Sequence, residues 1–497
     1  MITEQICLDR TREPGLSRQL FIQLRRIIET GNVASGLPLP PSRQLAKDLR
    51  VSRNTVMAAY EQLTLEGYLE TGGRRGTRVS KATTGFRQWH DEEQPVDDGA
   101  KQVRLSAHGH RLILNERPMK RLSTSFQTGL PEVRSFPHDL WARLLRRAAR
   151  QLASRRVLAG YDNYDGILEL KTAILDHVAA SRGVVATPEQ VIILSSAQAS
   201  MDLVVRMLLD EGALALHEEP GYAGMHASLL AAGADMRPIP VQQPQAYQDL
   251  KSTFSNEDAP RLIYATPSHQ FPTGRVMPLE DRLALLDFAA SRNAFVLEDD
   301  YDSEFHFSGA PISCLQGLDR NGLVIYMGTF AKSFMPSLRL AYLIAPPLLA
   351  EPLTFGLRNT GAVPSHTVQL ALSYFIEEGH FRAHLREMTR TYRERRDALV
   401  EALVRQCGDF LDPARPAGGI QLPAYLTPAC LAAGWTDDKL AERLVEEGIE
   451  CAALSSLYWS GTEEARQGLF LGFAASDIEE IDTGVGCIAR VLNGEAS

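Results

Sequence analysis

Residues 323–345, LVIYMGTFAKSFMPSLRLAYLIA, decide how this chain reads. The apolar run 323–327 has the length and β-branched content of a buried strand. It breaks at Gly328 into a polar turn carrying Thr329, Lys332, Ser333 and Arg339, and a second apolar run follows from Leu340. A strand that ends on hydroxyl, amine and guanidinium groups predicts a ligand site at the carboxyl edge of an open α/β sheet. Three other stretches have the same form. Residues 191–209, VIILSSAQASMDLVVRMLL, run from a strand through Ser195 and Ser196 straight into a helix, so the amides of Ala197 and Gln198 open a helix N-terminus that can hold a phosphate. In 261–274, RLIYATPSHQFPTG, a strand leads into a Pro/Gly-rich loop with His269, Gln270 and Thr273. In 294–305, AFVLEDDYDSEF, Asp299, Asp300 and Tyr301 follow a buried run directly. Apolar runs of this kind alternate with helical patterns throughout residues 119–497, which predicts an α/β fold with a mainly parallel sheet.

Singly, each strand end has an ordinary explanation, since acidic loops and lysines after strands are usually solvated. Together they describe one chemistry. An amine can form a Schiff base, a carboxylate can keep a pyridine nitrogen protonated, and a phenol can sit beside the ring. Arg339, Thr329 and the Ala197 and Gln198 amides can offset the desolvation of a phosphate dianion. This is the protein side of a pyridoxal 5'-phosphate site, with Lys332 as the aldimine lysine.

Residues 123 to 492 resemble fold-type I aminotransferases. The stretches EDDYDSEF, PSHQFPTG, GTFAKSFMPSLRLAY and EEGHFRAHLREMTRTYRERRDAL resemble their MocR-type subgroup, regulators that join a GntR-like winged helix to an aminotransferase-like domain. The resemblance implies Asp299 as partner of the pyridine nitrogen and Tyr301 beside the phenolic oxygen. It further implies Tyr222 of EEPGY stacked on the ring, Thr329 and Arg339 on the phosphate, and Tyr161 of GYDNYDG reaching the phosphate of a neighbouring subunit. Two positions depart from the enzymes. Phe271 stands where they have Asn before PTG, leaving His269 or Gln270 to take that place, and Phe470 in LFLGF stands where an arginine clamps the substrate carboxylate. Without that bidentate anchor the sequence argues against efficient transamination of ordinary α-amino acids. Arg358, Arg466 and Tyr458 are the candidates for recognising an acidic group.

The first 80 residues read differently. In 16–31 the apolar Leu16, Leu20, Leu24, Ile27 and Ile28 share a helical face ending at Gly31. Ser42 can cap a second helix, and after a turn at Arg50 and Val51, Ser52 caps a third that carries Val56, Ala59, Tyr60 and Leu63. The run 67–80, GYLETGGRRGTRVS, predicts a hairpin with arginines at its tip. This layout is a helix-turn-helix with a wing, and PSRQLAKDLRVSRNTVMAAYEQLTLEGYLETGGRRGTRV resembles the GntR superfamily. The resemblance implies Arg43, Ser52, Arg53, Thr55, Arg75 and Gly76 as DNA contacts.

The whole-chain charge of -9 argues against nucleic acid, but it averages opposites: residues 1–80 carry +4 and residues 119–497 carry -13. A net of +4 is small for a lone binder that must neutralise about 6 to 10 phosphates. A homodimer on two operator half-sites is therefore expected, with DNA contact confined to the winged domains, and the resemblance implies an effector that is a small amine or amino-acid-like molecule exchanging at Lys332, or pyridoxal 5'-phosphate itself. Residues 1–80 are expected to form the DNA-binding domain, 81–118 a linker and 119–497 the effector domain. The alternative is a working aminotransferase with an accessory N-terminal module. Six scattered cysteines without metal-ligand spacing predict free buried thiols and no metal site. The lack of a leader or of a long apolar run predicts a cytoplasmic protein with no membrane partner.

Overall fold

A computed structural model describes residues 2–11, 13–72, 76–83, 105–113, 126–154, 163–255, 257–307, 312–460 and 465–494. Contacts divide the chain into two units, Met1–Arg104 and Leu105–Ser497.

In the smaller unit, α1 (Leu16–Glu29) buries Leu20, Phe21, Leu24, Ile27 and Ile28 along one face. It ends where Gly31 adopts a φ of 72° and the Asn32 amide bonds the Ile27 carbonyl at 3.1 Å, a Schellman stop that needs the left-handed residue. In α2 (Ser42–Asp48) the cap position is Pro41, and Ser42 is the first helical residue with no capping bond. The turn passes through Arg50 at a φ of 54° into α3 (Arg53–Leu65), where Ser52 Oγ accepts from the Thr55 amide at 3.1 Å. An antiparallel hairpin, β1 (Leu69–Thr71) and β2 (Thr77–Val79), completes the unit. Leu20, Leu24, Leu45, Val56 and Leu63 are fully buried in its core, and each such burial contributes about 1.5–3 kcal/mol.

The larger unit begins inside the stretch expected to be linker. Helix α4 (Ala107–Ile113) buries none of its own residues, which is why no apolar stripe marks it in the sequence. It is held instead by an Arg111–Glu211 ion pair of 2.8 Å and by His108 on the Ala231 carbonyl at 2.8 Å. Beyond it lie α5 (His138–Ser154) and α6 (Leu168–Arg182).

The main sheet contains β3 (Val191–Leu194), β4 (Leu214–Glu219), β5 (Asp235–Pro240), β6 (Leu262–Ala265), β7 (Phe295–Asp300), β8 (Val324–Thr329) and β9 (Ala341–Ile344), in the order β3-β9-β8-β7-β6-β4-β5. All neighbours are parallel except where β9 lies between β3 and β8, antiparallel to both. The link from Thr329 to Ala341 holds one turn of helix (Phe330–Ser333) and one 3₁₀ turn (Pro336–Leu338), too little for the crossover that a parallel return needs.

Alternate strand residues face different cores. Ile192, Leu194, Leu297, Ile325 and Met327 pack under α7 (Ala197–Leu208) and α8 (Ala223–Ala232), while Ile263 and Val296 pack against α9 (Leu279–Arg292). A second, antiparallel sheet of β10 (Leu411–Pro413), β11 (Gln421–Leu426), β12 (Ala452–Ala453) and β13 (Gly468–Gly472) runs in the order β10-β11-β13-β12. It shares a core with α6 and the 28-residue helix α10 (His380–Cys407). Cys314, Cys407, Cys430 and Cys487 are buried free thiols, but Cys7 is exposed, its amide and carbonyl tied to the Gln23 side chain ahead of α1.

Candidate functional site

The ends of β3, β8 and β9 meet at Ala341, which pairs with both Leu194 and Thr329. That register gathers the β3–α7 turn, the β8 end and the residue before β9 at one point, and β7 and β6 follow alongside. A cavity of about 360 Å³ opens there. Its lining includes Lys332, Asp299, Tyr301, Tyr222, Ala197, Gln198, Thr329 and Arg339, eight residues drawn from four separate stretches of sequence.

At one end Ser196 caps α7, its Oγ accepting from the Ala199 amide at 3.1 Å, so the first amides of the helix remain directed outward. The Gln198 side chain is held away by the Gly224 carbonyl at 2.9 Å and Ser228 Oγ at 2.8 Å, leaving its backbone to serve the cavity. Thr329 caps the turn that carries Lys332, with Oγ1 accepting from the Ala331 amide at 3.1 Å. Arg339 is left-handed at a φ of 54°, a strained conformation in a non-glycine residue. Lys332 Nζ donates to the Gly129 carbonyl at 2.6 Å. A Cβ at Gly129, whose φ is 73°, would lie 2.5 Å from that nitrogen. Burial lowers the Lys332 pKa, against the pull of Asp302 and Asp299.

The paired aspartates of EDDYDSEF divide by strand alternation. Asp299 Oδ2 accepts from Tyr264 at 2.6 Å, and Oδ1 is buried without a partner. Burial pushes this carboxyl up to about 7 against the Tyr264 hydrogen bond, with Asp300, Asp302 and Glu218 adding to the rise. Asp300 turns the other way and pairs with Arg182 at 2.8 Å and with Tyr326 at 2.6 Å. Burial opposes its charge too, but Arg182 and the hydroxyls of Ser303 and Tyr326 outweigh it and hold the carboxyl below its ordinary range.

His269 and Gln270 are not in the lining, contrary to the sequence expectation. His269 is buried against Asp302 at 2.8 Å, and Gln270 donates to the Pro220 carbonyl beyond β4 at 2.9 Å and accepts from Thr273 Oγ1 of its own loop at 2.6 Å. Phe271 enters the cavity instead, edge-on to Tyr222 at 5.4 Å and to Phe470 at 5.2 Å. Arg358 stacks on Tyr164 at 4.9 Å and Arg466 on Tyr425 at 3.5 Å. The Tyr458 hydroxyl accepts from the Arg466 amide at 3.4 Å, and none of these three lines the cavity. Tyr161 and Arg75 lie outside the described residues. Sequence reasoning missed Tyr264, Thr128, Gly129 and Gln421. Tyr264 was within reach, as the one polar-tipped side chain of its strand, whereas Thr128, Gly129 and Gln421 come from segments with no strand-end signature.

In the smaller unit Arg43 and Arg53 are exposed at the starts of α2 and α3. The Ser52 and Thr55 hydroxyls bond each other at 2.8 Å across the cap. Gly76 closes the hairpin at a φ of 74°, its carbonyl accepting from the Gly72 amide at 3.0 Å. Among the described residues no helix is long and apolar enough to cross a membrane, and no His/Cys/Asp/Glu group could hold a metal ion.

Residues 137–484 match the family Aminotransferase class I and II, and residues 16–79 match the bacterial regulatory proteins of the gntR family. The chain is 40% identical to the probable rhizopine catabolism regulatory protein MocR of Rhizobium meliloti, over 97% of this chain and 94% of that protein. It is 29% identical to the pyridoxine biosynthesis transcriptional regulator PdxR of Corynebacterium glutamicum, over 95% of each. Among solved structures, α-aminoadipate aminotransferase LysN of Thermus thermophilus, complexed with N-(5'-phosphopyridoxyl)-L-leucine, superposes with a TM-score of 0.69 at 28% identity, over 79% of this chain and 97% of that one. A helix-turn-helix unit of one kind and an aminotransferase-like unit of the other, joined in a single chain that matches MocR almost end to end, place this protein in the MocR-like family of transcriptional regulators.

Proposed function

We propose that this chain is a pyridoxal phosphate-dependent regulator that binds operator DNA as a homodimer and changes its grip on DNA when a primary amine displaces Lys332 from the cofactor. The observation that carries the cofactor assignment is the unpartnered Asp299 Oδ1. A buried carboxylate oxygen is costly to leave unbonded, and a protonated ring nitrogen supplies the missing donor together with a positive charge that would draw the raised carboxyl back toward ionisation. When bound, the group supplies an aldehyde carbon that condenses reversibly with amines and a protonated ring that withdraws electrons.

This chain's residues do the rest. Burial, which lowers the Lys332 pKa, favours the unprotonated, nucleophilic form of its amine, and the Gly129 carbonyl holds the nitrogen in place. Arg339, Thr329 and the first amides of α7 would offset the phosphate charge, while Tyr222, Tyr301 and Phe271 wall the ring from water. In the smaller unit, Arg43, Arg53 and the start of α3 would meet the duplex, with Arg75 and Gly76 serving from the hairpin. Two copies double the +4 of residues 1–80. An effector that binds two conformations unequally by about 1 to 3 kcal/mol would change operator affinity roughly 5- to 150-fold.

The test is Lys332→Ala. It should abolish both the visible cofactor band and the amine-dependent change in operator affinity while retaining DNA binding in a gel-shift assay. An amine response that survives the substitution would exclude this mechanism.

A further inference from the structure

Helix α8 starts at the cofactor cavity and ends against α4. Its cap position is Tyr222, which lines the cavity. The Gln198 side chain, from the head of α7, donates to the Gly224 carbonyl at 2.9 Å and to Ser228 Oγ at 2.8 Å. Glycine at 224 permits this arrangement, since a Cβ there would fall 2.4 Å from both Gln198 Oε1 and Tyr222 Cε1. The Tyr222 ring and the Gln198 amide therefore lie directly on the first turn, and neither can press toward it without moving the backbone.

At the other end Gly233, with a φ of 72°, stops the helix. Its amide bonds the Leu230 carbonyl at 3.0 Å, and the Ala234 amide bonds the Leu229 carbonyl at 3.1 Å. A helix leaves its last four carbonyls without partners of its own, and this stop satisfies two of them. The Ala231 carbonyl is satisfied from α4, by His108 Nδ1 at 2.8 Å and Arg111 Nε at 3.3 Å. Arg111 also pairs with Glu211 at 2.8 Å, and the helix dipole favours its cation at that end.

The 10 residues of α8 span about 15 Å. Met225, His226, Leu229 and Ala231 are buried along it, and a short helix in close packing shifts as a body. Helix α4 is held more lightly. It buries none of its residues, and Leu105 before it and Leu112 and Ile113 within it are exposed, so its place rests on the Ala231 carbonyl and on Glu211. Each such bond is worth at most about 10-fold in an equilibrium, and a displacement of about 1 Å would break both bonds to Ala231. Helix α4 also opens the larger unit, which begins at Leu105 where the smaller one ends at Arg104.

We propose that α8 carries the state of the cofactor cavity to α4, docking or releasing it, and that His108 and Arg111 are the positioning residues that couple the effector site to the DNA-binding unit. This rests on the amine-sensing reading above and supplies its route. What Tyr222 and Gln198 meet at one end sets where the Ala231 carbonyl stands at the other, and the chain leading to the smaller unit is held or freed there. Linkage makes the coupling mutual.

Amide hydrogen exchange in residues 105–113 of the full-length protein tests it, cofactor-free and saturated with pyridoxal 5'-phosphate. Relative to the helix Ile478–Leu492, which reports any general change in stability, exchange there should change at least about 5-fold, although no residue of α4 lines the cavity. Glycine, β-alanine, taurine and ethanolamine are then titrated into the loaded protein while the visible band and operator affinity are recorded. His108→Ala/Arg111→Ala should form the same band and show the same amine titration of it, while its amine-dependent change in operator affinity shrinks from roughly 5- to 150-fold to under about 2-fold. Equal exchange in the two wild-type states, or a full operator response in the variant, would overturn this inference and leave amine sensing standing. A wild-type operator affinity that no amine changes would overturn amine sensing, and exchange in 105–113 would still decide whether α8 carries the state of the cavity. The wild-type exchange decides alone should the variant not fold.

Discussion

Replacing Asp299 with Asn removes a buried charge whose cost depends on pH. The carboxyl is 5% exposed, holds one hydrogen bond from Tyr264 at 2.6 Å and leaves Oδ1 unpartnered. Burial, against that bond and with Asp300, Asp302 and Glu218 close by, raises it from 3.8 to about 7. An acid whose folded pKa exceeds its unfolded value binds its proton more tightly when folded. The folded state therefore loses stability as pH climbs between the two values and loses no more above the upper one. One pKa unit corresponds to about 1.4 kcal/mol, so ionising this group between about pH 5 and about pH 8 should cost the cofactor-free protein about 3 kcal/mol. Asn keeps an acceptor for Tyr264 and does not titrate. In urea unfolding followed by tryptophan fluorescence, the stability difference between Asp299→Asn and wild type should shift by about 3 kcal/mol in the variant's favour over that interval. Taking the difference cancels the titrating groups that do not interact with Asp299. Saturating pyridoxal phosphate should then favour wild type, because the carboxylate gains a cationic partner that Asn cannot match. Parallel pH profiles for the two cofactor-free proteins would refute the claim that Asp299 sits desolvated at the cavity.

Arg53→Ala should weaken operator binding about 10- to 100-fold without altering cofactor absorbance, and if the contact is to phosphate it should lower the salt slope by about 1; fluorescence anisotropy at several salt concentrations measures both, and unchanged binding would remove Arg53 from the interface. Gly129→Ala should disable cofactor uptake, since the new Cβ would sit 2.5 Å from Lys332 Nζ on a backbone with a φ of 73°. A normal visible band in that variant would show that the lysine and the backbone at 129 adjust to the added methyl group without loss of the site.

Much of the fold was legible because its signals are local. Strand runs bounded by polar turns mark β3, β6, β7 and β8, and each runs into the cavity within a few residues, so a side chain's place along the chain gave its place at the sheet edge. Ser52 as a cap and Gly31 as a stop follow from side-chain and backbone preferences that need no distant partner. Charge partition was equally readable, and it turned the -9 of the whole chain from an objection into a division between a basic unit and an acidic one. Helix α4 escaped notice because ion pairing and hydrogen bonds from His108 and Arg111 to the Ala231 carbonyl hold it, with no apolar stripe to betray it.

The sequence by itself determined which chemical groups stand at strand ends, because chain connectivity alone delivers Lys332, Asp299 and Thr329 to the same edge. Tertiary structure decided which of them face the ligand. His269 and Gln270 lie in the right loop, yet one is spent on Asp302 and the other on closing the loop, while the apolar Phe271 turns inward. Asp299 and Asp300 are neighbours of identical chemistry, and only the pleat of β7, with Tyr264 on one side and Arg182 on the other, gives one a place in the cavity lining and the other an ion pair with Arg182. Thr128, Gly129 and Gln421 reach the cavity from segments far apart in the chain. Such partners are set by packing, since the free energy of burying a polar group depends on what lies across from it and not on its neighbours along the chain.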